Sequence, residues 1–499
     1  MTADLDLALL AGCTVLLVGI LAVRVVLRLG LPSLLFYLAL GLVIGEAGLG
    51  VRFDDADLTR DVGLLALVLI LAEGGLTGRL SALRPVARLA TVLATVGIAV
   101  SVLVVSAAVR LVLDLDWRTA LVLAAVVSST DAAAVFSVLR RLRLRGRLSA
   151  TLEAESGLND APVVVLVTLA ASDTWGQDPW WWVAVVIVGE LLLGALVGWA
   201  VGQAGRWLLP RLALPAVGLY PLAALALIVL AYATAVVAHA SGFLAAYIAA
   251  VLLGSARLPH RRAVLGFAEG LAWLAQIGLF VLLGLLASPA RLPDAVPLAL
   301  VAGGVLLLVA RPLSVAVSAT PFRVPWREQA FLSLAGLRGA VPIVLATIPL
   351  SEGLPNATLV FDATFLMVVV LTAIQAPPLP FAARRLGVAS PAEAGELDVE
   401  IAPLDELGAA LLEVPVPPGS RLAGAYVPEL RLPEGAVVTL VVHGGQSTVP
   451  DRGTRLRQGD RLLVVTTAPA RAATVRRLRA VNRRGVLARW LGDEGDEEP

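Results

Sequence analysis

The sequence predicts an all-α polytopic membrane protein of about thirteen transmembrane helices, with inverted repeats and broken crossing helices, followed by a small cytoplasmic α/β domain. Three observations carry this. The 499 residues are 58% hydrophobic and only 15% charged, with a mean hydropathy of +0.87, whereas soluble domains run at about 45–50% apolar and about 25% charged. Thirteen windows of mostly apolar residues, each near the roughly twenty that cross a bilayer, lie along the first 386 positions. From Pro391 onward such windows cease, and short strand-like runs separated by turns replace them.

The composition excludes several classes of function. A net charge of +1 supplies no field for a polyanion, so nucleic acid is not a partner. The single cysteine, Cys13, lies in an apolar run and makes neither an intrachain disulfide nor a thiolate metal site. Soluble enzymes lose their weight against so apolar a chain.

The windows, in order, are 5–27, 31–49, 62–78, 86–112, 117–139, 151–171, 180–204, 213–238, 241–256, 264–287, 295–319, 328–350 and 359–383. The first begins with Asp4 and Asp6 and lacks the basic start of a secretory signal, so it reads as a retained helix with its N-terminus outside. The connections on one side then hold nineteen arginines, among them the run Arg140, Arg141, Arg143, Arg145 and Arg147. The opposite side holds five: Arg52, Arg60, Arg110, Arg118 and Arg291. By the positive-inside rule the richer side, and with it the C-terminus, is cytoplasmic. The expected location is the bacterial inner membrane.

Domain bounds follow from the change at Pro391: a transmembrane domain at 1–386, a linker at 387–403, a cytoplasmic domain at 404–481, and a basic then acidic disordered tail at 482–499. The strand-like runs of the cytoplasmic domain are 411-LLEVPVPP, 436-AVVTLVVH and 461-RLLVVTT, with a helical stretch after them carrying Arg471, Arg476, Arg477 and Arg479.

Charge at bilayer depth costs at least about 2.5–3.5 kcal/mol unless it finds a partner or water. Most windows read as free of it. The fifth, however, carries Asp131 behind Ser128, Ser129 and Thr130; the sixth carries Glu153, Glu155, Ser156, Asn159 and Asp160 ahead of Pro162; the twelfth carries Arg338 between Gly336 and Gly339. In the sixth, Glu155 and Asn159 share a helix face and Ser156 and Asp160 share the next, about 100° round. Glu153 points elsewhere and reads as an interfacial charge.

Ser and Thr compete for backbone hydrogen bonds and Gly and Pro break the ladder, so the fifth and twelfth windows read as interrupted helices. Their offset of seven fits an inverted repeat of helices 1–6 and 8–13 joined by helix 7, an arrangement that puts an ion site at the midplane. Asp131, Glu155 and Asp160 against Arg338 leave a deficit of two positive charges, which a proton or a metal cation can reduce. Where both compete for one desolvated carboxylate, the protein is an exchanger.

The strings 129-STDAAAVFSV, 153-EAESGLNDAPVVV and 336-GLRGAVPI resemble the signature segments of the cation:proton antiporter-1 family, the NhaP-like sodium or potassium/proton exchangers. The stretch 404–481, through 413-EVPVPPGSRLAGAYVPEL, 435-GAVVTLVVHGG and 458-QGDRLLVV, is similar to a TrkA-C type regulatory module. The resemblance implies that Asp160 exchanges proton for cation, with Asp131, Thr130 and Ser156 as further oxygen ligands of the transported ion. It implies that Glu155 pairs with Arg338 and that Asn159 holds the unwound fifth helix. Asn159-Asp160, in place of two aspartates, implies one-for-one electroneutral exchange. A homodimer in which a six-helix core moves against a dimerisation domain is implied as well, together with a small-molecule ligand for the tail; no cofactor is.

The tail carries no Gly-x-Gly-x-x-Gly after a strand, so a dinucleotide is not expected there. Glu73 is placed at the cytoplasmic funnel or the interface, and Glu190 is read as structural or dimer-facing. His239, His260 and His443 are too far apart in sequence for a metal site. Two other classes remain as alternatives. A channel lacks the short repeated filter loops it needs, and an intramembrane enzyme lacks a companion motif to Asp131 and Asp160. The tail favours K+ over Na+.

Overall fold

The computed structural model describes residues 2–28, 32–46, 48–131, 134–135, 138, 144, 147–177, 179–256, 258–389, 400–404, 409–417 and 419–488. They belong to two compact units, Met1–Ala389 and Ser390–Pro499. Of the charges named above, Arg140, Arg141, Arg143 and Arg145 lie outside the described residues, as does the acidic end of the chain.

The first unit is a helical bundle whose helices run along the apolar windows. They are α1 (Thr2–Arg28), α2 (Ser33–Ile44), α3 (Ala56–Thr77), α4 (Ala87–Leu113), α5 (Trp117–Ser128), α6 (Leu148–Ala171) and α7 (Trp180–Leu208). They continue as α8 (Leu219–Val237), α9 (Gly242–Gly254), α10 (Arg261–Leu286), α11 (Leu292–Phe322), α12 (Trp326–Leu334), α13 (Ala340–Ser351), α14 (Ala357–Gln375) and α15 (Leu379–Arg385). Among the described residues, six helices are long and apolar enough to cross a membrane, namely α4, α7, α8, α10, α11 and α14; α2, α5, α9 and α13 are apolar but shorter.

Local chemistry fixes several starts. Asp55 caps α3 by accepting from the Leu58 N–H at 2.9 Å, and Asp116 caps α5 by accepting from the Thr119 N–H at 2.9 Å. Inside α6, Pro162 has no N–H to give, which frees a carbonyl one turn back, beside Asn159 and Asp160. Within α11 a five-residue π segment, Leu306–Ala310, ends directly before Arg311, the kind of local widening that re-aims the residues after it.

Two elements that position the site are discontinuous. α5 stops at Ser128, whose hydroxyl bonds back to the Ala124 carbonyl at 2.6 Å, and Ser129 is already extended. Between α12 and α13 the chain leaves the helix at Ala335 and re-enters it at Ala340. The breaks meet: the Asp131 N–H donates to the Leu337 carbonyl at 2.9 Å.

The second unit holds a five-stranded antiparallel sheet, β1 (Glu400–Leu404), β2 (Ala409–Pro415), β3 (Ala436–His443), β4 (Gln446–Thr448) and β5 (Arg461–Thr467), in the order β1-β2-β5-β3-β4. Alternation puts Ala410, Leu412 and Val414 of β2 and Leu462 and Val464 of β5 on the covered face. There α16 (Arg471–Arg484) packs with Leu478 and Val481, leaving Arg471, Arg476, Arg483 and Arg484 exposed while Arg477 donates to the Leu430 carbonyl at 2.8 Å. The stretch assigned to a linker, 387–403, therefore includes most of a strand. β1 has little strand propensity and is held by its pairing with β2, from Glu400↔Glu413 to Leu404↔Ala409.

Candidate functional site

The site forms where the broken α5 and the break between α12 and α13 lie against α6. Beyond Ser128 the chain supplies Ser129, Thr130 and Asp131 outside the helix, and α6 presents Ser156, Asn159 and Asp160 to them. Asn159 donates from Nδ2 to the Thr130 hydroxyl at 2.7 Å and to its carbonyl at 3.3 Å, and the Ser156 hydroxyl donates to the same carbonyl at 3.0 Å. One amide and one hydroxyl thus satisfy backbone that the broken helix leaves open. The Ser129 hydroxyl donates to Asp160 Oδ1 at 2.5 Å, and Asp131 Oδ1 accepts from the Ala134 N–H at 3.3 Å.

Burial sorts the oxygens. Glu155, Asn159, Asp160 and Thr130 are buried, whereas Asp131 and Ser156 are half-buried. Asp131 and Asp160 lie close enough for their charges to act on one another. The sequence-expected ligands Asp131, Asp160, Thr130 and Ser156 are therefore brought to one place, with Asn159 beside them. Among the described residues no group of three or more His, Cys, Asp or Glu forms a metal-binding cluster. A cation here would rely on hydroxyl and carbonyl oxygens besides the carboxylates, a hard-donor set suited to an alkali ion.

The positive charges are arranged otherwise than expected. Glu155 does not pair with Arg338. Its Oε1 accepts from Nη1 of Arg311 at 2.6 Å, with both side chains buried. Arg311 also donates to the Leu332 carbonyl at 3.4 Å, at the C-terminal end of α12. Arg338 instead donates from Nε to the Val127 carbonyl at 3.1 Å, at the C-terminal end of α5, and from Nη1 to the Gly336 carbonyl. Each guanidinium thus sits at the negative end of a half-helix, where a cation is favoured. The Arg338 carbonyl accepts from the Thr372 hydroxyl at 3.0 Å, which ties α14 to the crossing.

Two glycines are required by this packing. A Cβ on Gly339 would run into the Asp131 carboxylate, and one on Gly336 would meet Arg311 Nε at 2.7 Å and Arg338 Nη1 at 2.8 Å.

With Arg311 counted, the cluster of Asp131, Glu155 and Asp160 against two arginines is one positive charge short, not two. Sequence reasoning missed Arg311 by treating its window as uncharged, although an Arg-Pro pair directly after the apolar run 295–310 of α11 was the available signal. It missed Asp362 in the same way, a buried carboxylate of α14 that accepts from Arg291 Nε at 3.0 Å, and it left Ser129 without a role. Glu73 lies within electrostatic reach of Glu153 and Glu269, whereas Glu190 lies near His239.

Comparison with known proteins follows the same division. Residues 13–384 match the family model described as sodium/hydrogen exchanger, transmembrane, and residues 411–479 match the TrkA-C domain. The chain is 38% identical over 396 residues to a K(+)/H(+) antiporter, NhaP, of Alkalimonas amylolytica, covering 78% of this chain and 69% of the relative. It is 36% identical over 466 residues to a K(+)/H(+) antiporter, NhaP2, of Shewanella oneidensis, covering 91% and 80%. Among solved structures it is similar to the sodium proton antiporter MjNhaP1 from Methanocaldococcus jannaschii at pH 8, with a TM-score of 0.67 at 21% identity over 77% of this chain and 99% of that one. At that identity the likeness speaks for the fold.

Proposed function

Because the chain belongs to the sodium/hydrogen exchanger family and carries a TrkA-C domain behind its membrane unit, we propose that it is a K+/H+ antiporter in which Asp160 carries proton and cation in turn. The observation that carries the reading is the crossing itself: two broken helices joined by main chain at Asp131 and Leu337, with Asp160 beside them. K+ is preferred over Na+ on the names of the relatives and on the tail; Na+ exchange by the same route is the second reading, in keeping with the family's description.

The chemistry follows from the cluster's charge. One missing positive charge is made good by one proton or one monovalent cation, and the two cannot be accommodated together without a surplus. Exchange is then one for one and electroneutral. Asp160 gives up its proton, the cation takes oxygen ligands from Asp160, Asp131, Thr130 and Ser156, and Asn159 keeps the Thr130 segment in place. Glu155 and Arg311 brace α6 against α11, and Arg338 fixes the end of α5.

The same reading includes thirteen crossings, with the N-terminus outside and the C-terminus in the cytoplasm of a bacterial cell, and assembly as a homodimer in the inner membrane. Residues 1–386 exchange ions, and the domain that follows the linker, about 404–481, adjusts the exchange in response to a small-molecule ligand.

The deciding experiment is proton flux in everted membrane vesicles on addition of K+, Na+, Rb+ or Li+ in turn. K+ is expected to release the imposed proton gradient at the lowest concentration. A response to Na+ alone selects the second reading, and no response to any cation overturns both.

A further inference from the structure

A separate cavity of about 300 Å³ lies toward the other end of α6 from the half-buried Asp131 and Ser156. Leu64 of α3, Val164 and Thr168 of α6, Glu190 of α7, Tyr232 of α8 and Ile348 of α13 line it. Val164 and Thr168 follow Asp160 at four and eight residues along the same side of α6, so Thr168 stands about 12 Å beyond the site along the helix axis. The cavity is therefore displaced from the site along the axis of α6.

Next to this cavity α3 and α13 meet in a tight contact. Val344 is one turn nearer the crossing than Ile348, and a Cβ on Gly63 of α3 would meet Val344 Cγ1 at 2.9 Å and Cγ2 at 3.3 Å. No water fits there. Further out, Arg60 of α3 donates to the Ser351 hydroxyl of α13 at 2.8 Å and lies 3.8 Å from Glu352, which holds the outer ends of these helices together. α3 and α13 are thus packed and pinned together beside the cavity, whereas Asp131 and Ser156 are half-buried.

Glu190 is the acidic side chain in this cavity, within the span of α7 and half-buried. A carboxylate at such depth is costly unless water or a counter-ion reaches it, and here it shares the cavity with the Thr168 and Tyr232 hydroxyls and with His239. We propose that the cavity is the outer vestibule of the exchange route, closed by the Gly63–Val344 contact, and that Glu190 receives the cation there on its way to or from Asp160. The inference rests on the antiport reading above and adds a residue to its path.

The test compares the two faces of the membrane. Half-saturating K+ (and Na+) is measured in right-side-out and in everted vesicles for the full chain and for Glu190→Gln and Glu190→Asp. The ratio of outer to inner half-saturation should rise about three- to tenfold in Glu190→Gln, the scale of one ion–carboxylate contact near 4 Å in a wet cavity, and should return toward that of the unaltered chain in Glu190→Asp. An unaltered ratio, or an equal rise on both faces, overturns the role of Glu190. Independently of transport, Thr168→Cys in a Cys13→Ser background should react with a membrane-impermeant thiol reagent from the outer face. Reaction from the cytoplasmic face only, or from neither face, overturns the vestibule. Should the unaltered chain exchange no cation, the antiport reading fails while the labelling result still decides whether the cavity opens outward.

Discussion

Glu155 on α6 and Arg311 on α11, 156 positions apart in sequence, form a buried ion pair at 2.6 Å, and Arg338 lies beside it bonded to the carbonyls of Val127 and Gly336. Three elements that contribute to the site are therefore braced by charge at the place where two of them lose their helical hydrogen bonds. Removing Glu155 alone or Arg311 alone strands a charge out of water, and each loss should cost about 3–5 kcal/mol. We expect Glu155→Leu and Arg311→Met to insert poorly and unfold at lower temperature. The double variant should recover at least about half of the summed loss, because contacting residues do not add. Thermal unfolding in detergent checks this, and simple additivity would contradict the pair.

Asp160→Asn keeps the size of the side chain and a partner for Ser129 while removing the group proposed to bind proton or cation. Cation-driven proton flux should vanish in a protein that still folds. Asp131→Asn should raise half-saturating K+ by about tenfold or more, the equivalent of about 1.4 kcal/mol of lost ion binding. Wild-type affinity in that variant would reduce Asp131 to a structural role.

Gly339→Ala adds one methyl where the Asp131 carboxylate already stands. Overpacking of this kind costs about 1–3 kcal/mol, and here the group displaced is a proposed ligand. Transport should fall by about tenfold or more at matched expression. Gly270→Ala, on α10 with nothing within 4 Å of the added carbon, is the control and should leave flux unaltered.

Deleting residues 390–499 should leave an inserted antiporter whose activation by pH or cation is displaced by about half a pH unit or about threefold in concentration, the scale of a modest coupling free energy. Vesicle flux across a pH series measures it. An unaltered profile would mean that the TrkA-C domain does not regulate exchange, and loss of all flux from a correctly inserted protein would make the domain part of the transport machinery.

The two helix breaks were legible in the sequence because their causes are local: Ser-Ser-Thr-Asp at 128–131 and Gly-Leu-Arg-Gly at 336–339 spoil the ladder wherever they occur. The grouping of Asn159, Asp160 and Ser156 was legible from helical spacing alone. The partner of Glu155 was not. Two arginines compete for it, and which one wins depends on how α11 packs beside α4 and α12, which sets where Arg311 meets α6. No periodicity within a window records that. The strand at 400–404 was hidden for a related reason, since it is held by β2 and not by its own residues.

The bond from the Asp131 N–H to the Leu337 carbonyl is made of main chain, and main chain is not rewritten by mutation. Apart from a proline at 131, which has no N–H, substitution at either position leaves donor and acceptor in the polypeptide. The side chains proposed to surround the ion can therefore vary without dismantling the joint that presents them. The crossing is a scaffold whose fastening is independent of the residues it displays.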